Sequence, residues 1–429
     1  MRSNRLTTFI VIGLLLGVAT GYVFFRLFPE SAAGFAGATS LIPTAFLRLI
    51  KMIIAPLVFS TLVVGIAKMG DIATVGRIGG KALGWFLFAS LISLTLGLVL
   101  VGLFEPGKAM HLAPPTASAS SGIQATGLSV EGFISHTIPT SILDAMARNE
   151  ILQIVIFSVF FGTAMAALGE RSKPVIVLLD AVSHIMLKVT GYVMLFAPLA
   201  VFGALASMVA KEGIEIVGVY GLLIGEFYLG IVILWAVLIG LGLVVVGPSI
   251  LRLIRRLREA VILAFSTASS EAAYPKTLEE LERFGVSNRI ASFVLPVGYS
   301  FNLDGSMMYC TFAVMFIAQV YGIEITIAQQ IAMVAILMLT SKGIAGVPRA
   351  SLVVIAATLA QFNIPEAGLL LLLGIDHFLD MGRSATNVIG NSVATAVVAK
   401  WEGELQAQAE PFSPHASAPR PSPVESGTS

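Results

Sequence analysis

The stretch 376–391 reads Asp-His-Phe-Leu-Asp-Met-Gly-Arg-Ser-Ala-Thr-Asn-Val-Ile-Gly-Asn, inside an otherwise apolar run over 369–398. At about 100° per residue, with Asp376 at the origin, Asp380 falls at about 40°, Arg383 at about −20°, Asn387 at about 20° and Asn391 at about 60°. These polar side chains share one stripe roughly 80° wide, while Leu, Phe, Val, Ile and Ala fill the other faces. Each charge near the middle of a bilayer costs on the order of 3 kcal/mol. Three on one stripe need partners or a ligand. Arg pairs bidentately with a planar carboxylate, whereas Asp380, one turn away, prefers an ammonium. With amide donors beside them, the stripe suits a zwitterion that carries a second carboxylate. Snorkelling of Arg383 to the interface is hard from mid-span. The blander readings are Asp380 as a structural counter-ion of Arg383 and Asp376 as a helix-to-helix hydrogen bond instead of support for an ion site. His377, at about 100°, lies off the stripe and reads as structural.

The elements that position this stripe must cross lipid. Of 429 residues, 56% are hydrophobic and 12% charged, and the mean hydropathy is +0.91. Soluble domains carry about 25% charged residues, so the chain is an all-α polytopic membrane protein. A net charge of +1 leaves no footprint for nucleic acid. The single cysteine, Cys310, excludes an internal disulfide and a cysteine metal site. The opening Met1-Arg2-Ser3-Asn4-Arg5 precedes a long apolar segment without a cleavage pattern, which predicts a retained first helix.

Apolar segments long enough to span run over 8–27, 41–66, 82–103, 151–168, 175–209 (long, so tilted or bent), 217–246, 290–320 and 367–399. Lys and Arg at 2, 5, 68, 77, 81, 171, 173 and 252–258 alternate with poor loops at 28–40, 105–149 and 211–214. The positive-inside rule then places both termini in the cytoplasm. Two segments break the alternation. Residues 259–275 are too short to cross, and charges on both sides keep both ends inside, which predicts a re-entrant hairpin with a serine-rich tip. Residues 325–362 form a second hairpin from outside, broken by Gly343, Gly346 and Pro348. Non-helical backbone at membrane depth survives only where protein covers it or it lines a cavity, and two such tips point to a transporter site. The seventh span is also interrupted: Pro296, Gly298, Asn302, Asp304 and Gly305 predict an unwound turn whose carbonyls and carboxylate suit a cation. Asp304 could alternatively cap the broken helix. Residues 113–127 read as a Pro/Ser/Ala-rich external loop, and 406–429 as a disordered tail.

With these residues in view, the chain resembles the dicarboxylate/amino acid:cation symporter family, over nearly its whole length from Lys51 to Glu402. The motifs that carry the resemblance are the first tip (266–275), Asn302-Leu303-Asp304-Gly305-Ser306, Gly343-Ile344-Ala345-Gly346-Val347-Pro348, and Asp380-Met381-Gly382-Arg383-Ser384-Ala385-Thr386-Asn387. The resemblance implies a glutamate-transporter-like elevator fold: eight transmembrane helices plus two re-entrant helical hairpins, assembled as a homotrimer. It implies scaffold helices in 1–75 and 150–214, an external loop over 111–149, and a transport domain made of 76–110 and 215–400, followed by a disordered cytoplasmic tail (401–429). It implies a bacterial inner-membrane symporter with no cofactor. Asp380 would hold the substrate ammonium and Arg383 its side-chain carboxylate. Asn387, with the backbone near Ser270 and Val347, would hold the α-carboxylate; Ser306 and Ser384 match further substrate positions. Ser90, Gly298, Asn302, Asp304 and Asn391 match cation-site positions.

Departures from the family pattern bear on the coupling ion. Asn391 stands where sodium-coupled members commonly carry aspartate, Ala89 where the archaeal pattern has a hydroxyl residue, and Arg349 where a small residue is usual. Glu271 adds a carboxyl to the first tip, where burial disfavours charge, unless it is simply a solvated tip residue. Lys342 and Arg349 read as solvated at the mouth of the second tip. The expected coupling ion is the proton, carried by Glu271, with sodium at Asn302, Asp304 and Asn387 as the alternative. The expected substrate is glutamate or aspartate, because Asp380 would repel a plain C4-dicarboxylate, the runner-up. From other classes, an intramembrane aspartyl protease would use Asp304 and Asp380 as a dyad, though two gapped hairpin tips have no role in such an enzyme; a pure anion channel is a third reading, which saturable uphill accumulation in proteoliposomes distinguishes.

Overall fold

The computed structural model describes residues 2–67, 72–109, 115, 134, 137–213, 215–340 and 350–406. Among these the regular structure is all helical, apart from one isolated bridge between Val286 and Leu405. The principal helices are α1 (Arg2–Leu27), α2 (Leu41–Ala67), α3 (Ile72–Phe104), α4 (Ile151–Leu168), α5 (Lys173–Val193), α6 (Ala197–Glu212) and α7 (Glu215–Val246). They continue as α8 (Arg258–Thr267), α9 (Tyr274–Phe284), α10 (Asn288–Phe301), α11 (Asp304–Val320), α12 (Ile327–Thr340), α13 (Ala350–Gln361) and α14 (Asp376–Trp401).

Six stretches among the described residues are long and apolar enough to cross a membrane. One of them, Ile151–Lys211, covers 61 residues and contains α4, α5 and α6. The bend expected within 175–209 is a 3-10 turn at Met194–Phe196, after which Pro198 opens α6. α14 is absent from the six because its polar stripe lowers its hydropathy. The helix that matters most is thus the one an apolarity test passes over.

Packing sorts these helices into two groups. α1 lies along α6, and α2 along α4 and α5, whereas α14 packs against α7, α8, α10 and α11, and α3 against α11. The α1–α6 contact rests on a glycine stripe. A Cβ at Gly13, Gly17 or Gly21 would press into the backbone of Pro198, Phe202 or Ala206, the close approach small residues permit between membrane helices. The groups meet where α2 and α4 touch α10 and where α6 touches α8.

The segment 259–275 forms a helix–turn–helix. α8 ends at Ala268 in left-handed backbone (φ 48°), the Ser269 hydroxyl accepts from the Ala272 amide at 3.2 Å, and Pro275 opens α9. The arms of the second expected hairpin are α12 and α13; its tip, including Lys342, Gly343, Gly346, Val347, Pro348 and Arg349, lies outside the described residues. α10 breaks where expected, with Asn302 and Leu303 out of helical conformation before α11 begins at Asp304.

Beyond α14 the chain turns back. Glu402 pairs with Arg77 (2.9 Å) and Lys81 (2.6 Å), and these hydrogen bonds, led by that from Arg77, hold its carboxyl below the usual range. The Ser287 amide donates to the Glu404 carbonyl, the Gln406 amide to the Gly285 carbonyl, and Arg289 pairs with Glu404. This return ties the start of α3 to the start of α10.

Candidate functional site

α14 can carry a polar stripe because protein covers it: every residue over 381–399 is buried. Two glycines bring neighbours onto its backbone. A Cβ at Gly382 would strike Ile231 and Tyr228 of α7, and one at Gly390 would occupy the place of the Asp304 carboxylate.

Arg383 is the centre of the first half of the stripe and is 2% exposed. Its Nη2 donates to Asp380 Oδ1 at 2.9 Å and lies 3.4 Å from Asp376 Oδ1. The Tyr309 ring sits 4.2 Å from the guanidinium carbon, and its hydroxyl donates to the same Asp376 oxygen at 3.2 Å. Nε and Nη1 of Arg383 have no hydrogen-bond partner among the described residues. Leaving buried donors unmade costs about 1–3 kcal/mol, more when they are charged. A buried cation with two unused donors is arranged for an incoming anion. Asp380 keeps 35% of its side chain accessible, so its carboxylate is reachable as well. Two carboxylates beside one guanidinium leave one negative charge over, which favours a ligand that brings a cation too.

The second half begins one turn on. Asn387 Oδ1 accepts from the Gly305 amide at 3.0 Å, and its Nδ2 donates to Ser306 Oγ at 3.4 Å. Asp304 is fully buried; Ser93 donates to one carboxylate oxygen (3.2 Å) and Asn302 Nδ2 to the other (3.0 Å). Asn302 Nδ2 also reaches Asn391 Oδ1 at 3.2 Å, and a Cβ at Gly298 would fall on that oxygen. Asn302 Oδ1 and Asn391 Nδ2 have no partner among the described residues. The broken turn thus gathers one carboxylate, three amide side chains and two hydroxyls, a hard-oxygen set of the kind hard cations accept.

The structure therefore brings Asp380, Arg383, Asn387, Ser306, Asn302, Asp304, Asn391 and Gly298 onto one wall. Ser384 is buried beside Arg383, and Ser90 is buried one turn before Ser93 on α3. The Ser270 carbonyl accepts from the Tyr299 hydroxyl at 3.0 Å, fixing the first tip to α10. Glu271 is half-buried and lines a separate cleft with Ile54, Val58 and Ile151. Val347 lies outside the described residues. Asp376 makes the helix-to-helix hydrogen bond to Tyr309 and orients Arg383 at the same time. No side-chain hydrogen bond caps the start of α11; the Asp304 oxygens are engaged by Ser93 and Asn302.

Two residues escaped the sequence reading. Ser93 supplies the hydroxyl that Ala89 lacks; its spacing of three from Ser90 puts both on one face of α3 and was the available signal. Tyr309 sits about 140° from Asp304 around α11, so nothing in the periodicity linked it to the motif at 302–306.

A chain with this wall of paired charges and amides among apolar helices is a multi-pass membrane protein built to hold a small charged solute. It belongs to the sodium:dicarboxylate symporter family, whose profile matches residues 6–401. It is 40% identical over 410 residues to a C4-dicarboxylate transport protein of Laribacter hongkongensis, covering 94% of this chain and 92% of that one. It is 42% identical over 411 residues to another of that name from Anaeromyxobacter dehalogenans, covering 94% and 92%. A proton/sodium-glutamate symport protein of Geobacillus stearothermophilus is 41% identical over 412 residues, covering 94% and 96%. Membership makes the chain a cation-coupled transporter. The carboxyl dyad of a protease would need two carboxylates sharing a proton, whereas Asp380 is ion-paired to Arg383.

Proposed function

We propose that this chain is a symporter that takes up an acidic amino acid, glutamate or aspartate, together with protons. The observation that carries the reading is Arg383, buried, with two donors that meet no partner among the described residues, beside an accessible Asp380. The guanidinium receives the substrate's side-chain carboxylate, Asp380 its ammonium, and Asn387 with the backbone near Ser270 and Val347 its α-carboxylate, with Ser306 and Ser384 as further substrate contacts. Ser90, Gly298, Asn302, Asp304 and Asn391 form a cation position next to it, and Glu271 carries the proton. The name borne by the Geobacillus relative fits both parts.

The two packing groups support an elevator: α1, α2 and α4–α6 as a fixed scaffold within a homotrimer, and α3 with α7–α14 as the moving part. The second hairpin is the outer gate, because both its ends face outside. Both termini lie in the cytoplasm of a bacterial cell.

A C4-dicarboxylate is the second reading for the substrate, favoured by the names of the Laribacter and Anaeromyxobacter relatives. Sodium is the second reading for the ion, favoured by the Ser93 hydroxyl on Asp304. Uptake by proteoliposomes under separately imposed proton and sodium gradients, across glutamate, aspartate, succinate and malate, tests all of these. Glutamate or aspartate should be accumulated under an inward proton gradient without sodium. A preference for malate over both amino acids would overturn the substrate assignment, and uptake that requires sodium and ignores pH would overturn the ion assignment.

A further inference from the structure

Glu271 does not face the Arg383 wall. It opens the 3-10 turn Glu271–Ala273 after the first tip and lines a narrow cleft. The other lining residues are Ile54 and Val58 of α2, Ile151 of α4, Tyr274 of α9, and Pro296 and Tyr299 of α10. This cleft lies between the two packing groups. Among the described residues, the charged groups within electrostatic reach are Lys51 of α2 and Glu150, which precedes α4; the other titratable groups facing it are Tyr274 and Tyr299.

Lys51, Ile54, Val58, Thr61 and Gly65 fall within about 80° of one another around α2. They form a track about 21 Å long. Lys51 stands exposed at one end, and at the other a Cβ on Gly65 would meet Ser292 of α10. Between them the track presents Ile54 and Val58, with Ile151 alongside, and offers no charge. A carboxylate drawn along it would leave its cation and lose solvation without compensation. A protonated carboxyl would not.

We propose that Glu271 is a proton-controlled brake on the movement of the transport half along α2, with Lys51 as its counter-charge. This rests on the proton-coupled elevator reading and adds where the proton acts: at the sliding interface, not in the substrate cavity. Ionised Glu271 is held by Lys51 at the outer end of the track. Once it has taken a proton from water there, it crosses the apolar section, and it returns the proton to water at the inner end. No bond of the substrate is made or broken. Coupling follows because the loaded carrier crosses with this proton aboard.

Purified wild type, Glu271→Gln, Lys51→Met and Lys51→Arg in proteoliposomes test this, with substrate binding measured in parallel by calorimetry at acidic and neutral pH. Glu271→Gln should bind substrate within about two-fold of wild type at either pH, the range of a substitution outside the binding contacts, while its transport loses its pH dependence. Lys51→Met should keep binding and move the half-maximal pH of uptake to the alkaline side by about one unit, because a nearby cation favours the ionised carboxyl. Lys51→Arg should restore the wild-type profile. Preserved binding also shows that the variants are folded. Pronounced loss of binding in Glu271→Gln would place the carboxyl in the substrate site and overturn the brake. An unchanged pH profile in Lys51→Met, with pH dependence lost in Glu271→Gln, would leave proton coupling standing and remove the counter-charge. Wild-type uptake that ignores pH would defeat the proton-coupling reading itself, and the brake with it.

Discussion

Arg383 and Asp304 are both buried charges on the same wall, yet among the described residues two donors of Arg383 meet no partner while both carboxylate oxygens of Asp304 are engaged by Ser93 and Asn302. The first half of the α14 stripe is a cation over-supplied with acid on one side and open on the other. The second half is an anion wrapped in amides and a hydroxyl. An open cation recruits a ligand strongly and is selective for its charge. A wrapped anion is already stable without one, so what it binds must compete with the protein's own donors. On the proposed reading, the arginine half supplies the larger part of substrate binding and the amide half the ion dependence.

Removing the guanidinium is the hardest blow to this contrast. Arg383→Ala should abolish uptake of acidic substrates, because truncating one partner of a buried charge pair costs about 2–5 kcal/mol. Calorimetry on the purified variant should find no binding where wild type binds, and near-native affinity would take Arg383 out of the site. Asp380→Ser should weaken glutamate and aspartate by about 1.5–3 kcal/mol, the range for hydrogen bonds to charged groups. Succinate and malate should be spared or improved, since they carry no ammonium, and competition assays measure the split. In the other half, Asp304→Asn should loosen cation dependence by about tenfold or more, seen as a shifted ion concentration for half-maximal uptake. Asn391→Asp sharpens the same half: if the missing charge explains proton preference, this variant should acquire sodium dependence in flux assays.

The smallest effect lies away from both halves. Glu402→Gln should lower stability at neutral pH by less than about 1 kcal/mol, read as a small drop in Tm, since Arg77 is exposed and Lys81 only half-buried. Its carboxyl is held below the usual carboxylate range, so the stabilisation is present above the ordinary carboxyl pKa and lost as pH falls through the depressed one. Thermal melts of wild type and variant should therefore converge in acid.

The stripe on α14 was readable because its period and its placement in an apolar run are local properties of the sequence. So were the broken turn at 302–303, announced by Pro296 and Gly298, and the first tip, announced by flanking charges. Tyr309 and Ser93 were not, because their roles depend on which helices touch. Tyr309 meets Arg383 across α11 and α14, and Ser93 meets Asp304 across α3 and α11. The proton argument from Ala89 suffered accordingly: the absent oxygen is supplied one turn along the same helix. Glu271 was legible as a tip carboxyl but not by direction, since a turn of backbone decides which of two cavities a side chain enters.

The return of the chain at 402–406 has a practical consequence for handling the protein. The family match ends at residue 401, and a truncation drawn there would look conservative. It would delete Glu402, Glu404 and Gln406, and with them the staples to Arg77, Lys81, Ser287 and Gly285. An affinity tag or fluorescent fusion joined after 406 leaves those staples closed; one joined at 401 replaces them with foreign sequence against α3 and α10.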